Sequence, residues 1–179
     1  AELDDMALRA DPSKAPTLLA YLDGERSPRR PDASGLMSGI RSDTTREDMA
    51  LAAFRGVVDG LTRAWIAMQS AGIRHTGSLV VTGGGAKSHT YLQLIADAFG
   101  APVEVRDASD ATARGAAIQA AAVLAGERIG VIRDAWKPAQ TTMVEPRHST
   151  PQPPSEEYGV LAELEDERVD KMLARSREA

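Results

Sequence analysis

The chain has 179 residues, a length typical of about one domain, and its 21 basic and 26 acidic side chains give a net charge of −5. This acidic balance argues against a general binder of nucleic acid or of anionic membranes, because such proteins usually carry a basic excess. The sequence has no cysteine, which excludes disulfides, thiolate nucleophiles and cysteine metal sites.

The rest of the composition predicts a soluble, cytoplasmic, globular protein. Apolar residues make up 42% of the chain, and with only 2 Trp, 3 Tyr and 2 Phe the core must be mainly aliphatic. No apolar run approaches the roughly 18 residues that span a bilayer, so no membrane partner is expected. The acidic N-terminus lacks the basic and apolar regions of a signal peptide.

Residues 1–45 predict extended and loop structure, because four prolines and several turn residues leave only one short apolar run, 18–22. Within this segment, Gly24 precedes Glu25 and Arg26 in a charged turn. The turn has two interpretations. It could bring Glu25 and Arg26 to a binding cleft, or the two side chains could form an ion pair that orders the coil.

The strongest helix signal covers residues 46–72. Thr44 and Glu47 have the spacing of a capping box at its start, and Gly72 supplies the left-handed residue that ends it. The predicted buried stripe consists of apolar residues at helical spacing: Phe54, Val57, Val58, Leu61, Trp65 and Met68.

A short strand, 79–82, is predicted to run into three glycines and then a helix over 88–99. Such a turn exposes backbone amides at the positive end of a helix and suits a phosphate or another anion, but it could equally be a tight turn without a ligand. Lys87 and Ser88 could face that ligand, and Ser88 also fits a plain N-cap. Asp97 is expected on the solvated face of the second helix. The glycines are Gly83, Gly84 and Gly85.

A second strand over 103–105 and a third helix over 111–125 complete an alternating order that predicts parallel strands with helical crossovers. Asp110 is the expected N-cap of this helix and Gly126 its end. Because two short strands do not make a sheet, the missing strands are expected from 1–45 or from another chain. The predicted inward face of the third helix is made of Ala113, Ala116, Ala117, Ala120 and Leu124.

The chain therefore divides into four predicted segments. Residues 1–45 form the loop segment with the charged turn, and 46–133 form an α/β core. Residues 134–157 hold five of the ten prolines and are expected to be an extended linker. Residues 158–179 are expected to form a terminal amphipathic helix.

Four short motifs in this order resemble the C-terminal domain of the FGGY carbohydrate kinases, and the resemblance covers residues 18 to about 130. The motifs are 21–28 (YLDGERSP), 53–58 (AFRGVV), 82–88 (TGGGAKS) with 93–97 (QLIAD), and 110–117 (DATARGAA). Two positions depart from the family pattern: Ser27 stands where threonine is usual, and Arg55 where glutamate is usual.

This resemblance implies a partial C-terminal lobe of the actin-like ATPase, or ribonuclease H-like, fold, with ATP and Mg²⁺ as cofactors. It implies that Gly84 and Ser88 contact the adenosine part, that Gly83 and Gly85 allow close approach, and that Glu25, Arg26 and Lys87 are possible cleft residues. The implied reaction transfers the γ-phosphoryl group of ATP to a sugar hydroxyl, and in the subfamily resembled most it converts D-xylulose to D-xylulose 5-phosphate.

In that family the catalytic aspartate and the main sugar contacts belong to an N-terminal kinase lobe, which is the expected partner of this chain. The chain by itself is therefore expected to be inactive. A homodimer is a further expectation. Two alternatives stay open: a non-catalytic regulatory or assembly module that retains the fold, and another FGGY kinase that acts on glycerol or ribulose.

Overall fold

The computed structural model describes residues 2–74, 77–106, 111–137 and 141–178, and within them the chain forms six α-helices, five strands and one 3₁₀ turn. Asp110, the predicted N-cap of the third sequence helix, lies outside the described residues. The elements are α1 (Glu2–Arg9), β1 (Thr17–Leu19), β2 (Leu36–Ser38), α2 (Arg46–Ser70), β3 (Leu79–Val81), the 3₁₀ turn (Gly84–Lys87), α3 (His89–Phe99), β4 (Val103–Arg106), α4 (Ala111–Ala125), α5 (Ile129–Ala135), β5 (Thr141–Val144) and α6 (Glu156–Glu178).

Helix α2 begins with a capping box one residue later than predicted. The side chain of Thr45 accepts from the amide of Asp48 at 3.2 Å, and the Asp48 carboxylate accepts from the Thr45 amide at 2.9 Å. The predicted Thr44 is not the cap because its hydroxyl accepts from the Arg41 amide in the preceding turn, at 2.8 Å. The helix ends as expected, since Gly72 has a φ of +82°.

The central sheet has the order β3-β4-β5. Strands β3 and β4 are parallel and α3 connects them, which confirms the predicted crossover unit. The third strand was predicted wrongly: it is β5, antiparallel to β4, and it comes from the segment expected to be a linker. The N-terminal segment instead forms a separate antiparallel pair, β1 and β2. Proline density indicated extended backbone in 134–157 but could not show that part of it pairs.

A short helix, α1, was missed in the segment predicted to be loop. Its residues Met6 and Ala7 are buried against Leu51 and Phe54 of α2. Eight residues are too few to show a clear apolar period, and the prolines that follow dominate the local composition.

The predicted inward face of α4 is wrong. The buried residues are Ile118 and Ala122, whereas Leu124 is 91% exposed. The physical reason is that α4 carries small apolar side chains of its own on every side, so its sequence does not indicate which face is buried. The predicted residues Ala113, Ala116, Ala117 and Ala120 are exposed.

Helix α6 packs on the β1–β2 side of the molecule. Tyr158, Leu161 and Val169 are buried there with Leu19 and Tyr21. This packing places the N-terminal half of α6 beside the charged turn. Among the helices of the described residues, none combines the length and the apolar character needed to cross a membrane.

Candidate functional site

The glycine segment follows β3 directly and is an open turn on the surface. Gly83 has a φ of +90°, a conformation that favours glycine, and the 3₁₀ turn then leads into α3. The amides of Gly84 and Gly85 open this turn and have no acceptor within it, because the first bonds of the turn come from the amides that follow. The turn therefore presents backbone donors at the start of a helix.

Internal packing does not account for two of the three glycines. Gly84 and Gly85 have no positive φ, and a Cβ added to either would meet no atom of the described residues within 4 Å. A tight turn alone explains Gly83 but requires no glycine at the next two positions. The open space beside these two α-carbons leaves room for an external group to approach the backbone.

Ser88 is the N-cap of α3. Its hydroxyl accepts from the amide of Tyr91 at 3.1 Å and donates to the carboxylate of Asp4 in α1. The Ser88 hydroxyl holds the pKa of Asp4 below its usual value, since its hydrogen bond favours the ionised carboxylate. Sequence reasoning found the cap but missed Asp4, because that residue lies 84 positions earlier in a helix that was not predicted.

Lys87 ends the 3₁₀ turn and its side chain is exposed. No ion pair joins it to a carboxylate among the described residues. Its ammonium group can therefore meet an anion that approaches the glycine turn.

The charged turn is ordered differently from the predicted ion pair. The carboxylate of Glu25 accepts from the backbone amides of Arg26 and Ser27, at 2.6 and 2.9 Å. The backbones of Glu25 and Arg30 exchange two hydrogen bonds of 2.8 Å. The peptide bond between Ser27 and Pro28 is cis. Glu25 thus orders the turn through its own backbone, and the Arg26 guanidinium stays exposed.

The structure does not bring all the predicted site residues together. Glu25 and Arg26 line a wide groove between the charged turn, α2 and α6. The glycine turn and Lys87 are not among the described residues that line this groove. The chain therefore presents two separate candidate surfaces.

Half of the apolar residues that were predicted to form the buried stripe of α2 lie in this groove. Val57, Leu61 and Met68 are 40 to 50% exposed and face this groove, so the prediction that they are buried is wrong. Phe54 and Val58 are buried on the other side, against α1 and α3. A 25-residue helix has different neighbours along its length, and sequence spacing alone does not separate them.

Asp97 was predicted to be solvated but is only 3% exposed. Arg147 binds it three times, through its backbone amide at 2.7 Å, its Nε at 2.8 Å and a terminal nitrogen at 2.6 Å. Burial alone would raise the pKa of Asp97, but these bonds and one from Gln93 outweigh it and lower that pKa. Through this contact, the segment that follows β5 is held against α3. No local signal could have found it, because Arg147 lies 50 positions away.

Comparison with known proteins decides the family. The family model described as "FGGY family of carbohydrate kinases, C-terminal domain" matches residues 1–124. The chain belongs to this family.

Individual relatives agree with this assignment. A xylulose kinase of Streptomyces coelicolor is 37% identical over 129 residues, which are 72% of this chain and 27% of that protein. A glycerol kinase of Nitrosomonas eutropha is 33% identical over 121 residues, 67% of this chain and 24% of that protein. The crystal structure of xylulose kinase from Bifidobacterium adolescentis is 34% identical with a TM-score of 0.61, and the match covers 91% of this chain and 31% of that chain.

This FGGY domain thus spans less than a third of the length of these relatives. Its fold is a partial C-terminal lobe of the actin-like ATPase fold, in which the parallel β3–β4 pair and the α3 crossover carry the glycine turn. Three His, Cys, Asp or Glu side chains do not come together as a metal site anywhere in the described part of the domain.

In this FGGY domain, Arg55 stands where the family usually has glutamate, and the structure shows what its side chain contacts. The Arg55 guanidinium donates to the carbonyl of Pro12 at 2.9 Å, and burial lowers its pKa. One turn later, burial raises the pKa of Asp59 to about 6, while the charge of Arg55 acts in the opposite direction. Arginine at position 55 is therefore accommodated by a carbonyl and a nearby carboxylate.

Proposed function

We propose that this chain is the nucleotide-binding portion of an ATP-dependent carbohydrate kinase that transfers the γ-phosphoryl group of ATP to a sugar hydroxyl. D-xylulose is the proposed substrate, because the Streptomyces coelicolor relative and the Bifidobacterium adolescentis structure are both named xylulose kinases. The observation that carries the nucleotide assignment is the open space beside the α-carbons of Gly84 and Gly85, at the start of a helix.

The proposed roles follow from the geometry of the turn. Gly83 provides the backbone turn, and the amides of Gly84 and Gly85 lie open to the adenosine part of the nucleotide. Ser88 contributes by fixing the first turn of α3, because its hydroxyl oxygen accepts from the Tyr91 amide. The proton of the same hydroxyl is donated to Asp4. Lys87 supplies a positive charge on the same surface. Phosphoryl transfer depends mainly on positioning and on neutralising charge, and an Mg²⁺ ion bound to the phosphates would contribute to the latter.

Titration calorimetry with a non-hydrolysable ATP analogue and Mg²⁺ tests this assignment. Gly84→Glu places a carboxylate in the open space without a backbone penalty, since Gly84 has an ordinary φ. We expect this variant to bind at least about tenfold more weakly than the wild type, because a bulky negative group replaces an open donor surface.

Gly130→Glu in α5 is the matched control, because a Cβ there meets only the end of the Arg133 side chain, at 4.0 Å. It adds the same charge far along the chain and should leave the affinity unchanged. Equal affinity of Gly84→Glu and the wild type would contradict the proposed site. Absence of binding in all three proteins would favour the alternative of a non-catalytic module.

The 179-residue chain by itself should not phosphorylate sugar, because none of its residues matches the catalytic aspartate of the family. A coupled assay for ADP with D-xylulose measures this directly. Sugar-dependent turnover would contradict the expectation. Glycerol is the second substrate to compare in the complete kinase, since the Nitrosomonas eutropha relative is named a glycerol kinase.

A further inference from the structure

The groove between the charged turn, α2 and α6 has a volume of about 970 Å³. Its floor is apolar and comes from one face of α2, including Val57, Leu61 and Met68. Its rim is formed by the charged turn on one side and by α6 on the other. None of the proposed nucleotide contacts belongs to this surface.

Three guanidinium groups line the groove, from Arg26, Arg29 and Arg63. Among the described residues, no carboxylate forms an ion pair with any of them. The two acidic groups of the lining are engaged elsewhere. Glu25 accepts from the backbone of its own turn, and Asp166 is paired with Arg30 at 2.7 Å. With three guanidinium groups and two carboxylates, the lining has an excess of one positive charge.

Arg63 has an unsatisfied hydrogen-bond donor. Its terminal nitrogen NH1 is the one side-chain nitrogen or oxygen in the described part of the chain that is buried and has no hydrogen-bond partner. Such groups are rare in folded proteins because each loses its hydration without a replacement. The same residue lines the groove, so an acceptor bound there would lie beside its guanidinium group.

Two tyrosines complete the polar part of the wall. Tyr21 and Tyr158 both line the groove, and the Tyr158 hydroxyl lies against α2, where a Cβ on Gly60 would approach it to 3.2 Å. Both side chains are almost fully buried, with 5% of Tyr21 and 1% of Tyr158 exposed, so they form part of the packed wall. Phenol hydroxyls beside guanidinium groups add donors for an oxygen-rich anion.

We propose that this groove binds a small organic phosphate, with the phosphate at Arg63, Arg29 and Arg26 and the organic part on the apolar floor of α2. Guanidinium groups match the oxygen geometry of phosphate and can donate two parallel bonds to it. The floor favours a ligand with carbon atoms over the free inorganic anion. This inference does not depend on nucleotide binding at the glycine turn.

Ligand-observed NMR of the 179-residue chain with phenyl phosphate tests the site, because this probe combines a phosphate monoester with an apolar ring. Phenol and inorganic phosphate serve as partial probes and should bind more weakly. Arg63→Met keeps the apolar stem and removes the charge, and should weaken phenyl phosphate binding about tenfold, as expected for the loss of a charged hydrogen bond.

Arg29→Met is the second variant, because the exposed position of Arg29 on the turn leaves folding intact if Arg63→Met does not fold. Arg41→Met is the matched control: it removes an exposed arginine outside the groove and should have no effect.

Weakened binding in the groove variants, with the Arg41→Met control unchanged, supports the proposal. No binding of phenyl phosphate, equal binding in Arg29→Met and the wild type, or an equal loss in Arg41→Met would each overturn it. Equal affinity for inorganic phosphate would overturn the assigned role of the apolar floor. Nucleotide binding that persists in Arg63→Met and Arg29→Met would show that the glycine turn binds nucleotide independently of the groove.

Discussion

Asp59 and Asp97 are both helical carboxylates, yet their surroundings move their pKa values in opposite directions. Burial raises the pKa of Asp59 to about 6, and Arg55 compensates only part of that effect. Asp97 is less exposed to solvent than Asp59 but has a lowered pKa, because Arg147 and Gln93 donate hydrogen bonds to its carboxylate. Hydrogen bonding to the charged form, and not depth alone, decides the direction.

Asp59→Asn should stabilise the protein at neutral pH. The folded pKa of Asp59 lies above its ordinary value of 3.8, so its contribution to stability is present below pH 3.8 and is lost as the pH rises through about 6. The difference in urea midpoint between variant and wild type should therefore increase in favour of the variant from pH 4 to pH 7.5. A variant that is less stable than the wild type at pH 7.5 would contradict this.

Asp97→Asn should destabilise the protein, because it removes the charge that three donors of Arg147 contact. We expect a loss of about 1–3 kcal/mol in the free energy of unfolding, measured by urea denaturation. Asp134→Asn is the control, since Asp134 forms an exposed pair with Arg133 and should change stability by less than about 0.5 kcal/mol. Equal effects of the two substitutions would refute the assigned importance of the buried contact.

At the scale of elements, α2 organises the molecule through two small residues on adjacent turns. Gly56 lies directly under the carbonyl of Leu18 in the β1 strand, and Gly60 lies under the Tyr158 hydroxyl of α6. Larger side chains there would push β1 and α6 away from the helix. Because α6 and the charged turn form the rim of the arginine groove, this close packing also sets the shape of that groove.

Gly56→Ala and Gly115→Ala should have opposite effects on stability. A Cβ at Gly56 would clash with the Leu18 carbonyl oxygen, and overpacking of this kind costs about 1–3 kcal/mol. A Cβ at Gly115 in α4 meets no atom of the described chain within 4 Å, so alanine there should gain about 0.5–1 kcal/mol from helix propensity. Thermal or urea unfolding measures both. Stabilisation by Gly56→Ala would show that β1 does not pack on α2 as described.

Sequence reasoning succeeded where the signal is local. Helix α2, the β3 strand, the glycine turn and the Ser88 cap each depend on residues within one or two turns of the chain. It failed where partners are distant in sequence: the pairing of β5 with β4, the Asp97–Arg147 contact and the link from Asp4 to Ser88. For β5 the proline content indicated extended backbone, and for the other two contacts the sequence shows the charged residues. Which strand or side chain each of them contacts depends on the whole fold.

At the scale of the whole molecule, the chain is a C-terminal domain of the FGGY carbohydrate kinases, and it covers less than a third of the Streptomyces coelicolor and Bifidobacterium adolescentis proteins. Its two candidate surfaces serve different chemistry. The glycine turn offers backbone donors without side chains, which suits a ligand that must approach closely. The groove offers guanidinium groups over an apolar floor, which suits an anion with a carbon body.

Two-dimensional ¹H–¹⁵N NMR of the chain during titration with ADP would locate the nucleotide residue by residue. We predict that the largest shifts appear at the amides of Gly83, Gly84 and Gly85 and at the first turn of α3. Unchanged glycine amides at saturating ADP, or shifts confined to the groove, would contradict nucleotide binding at this turn.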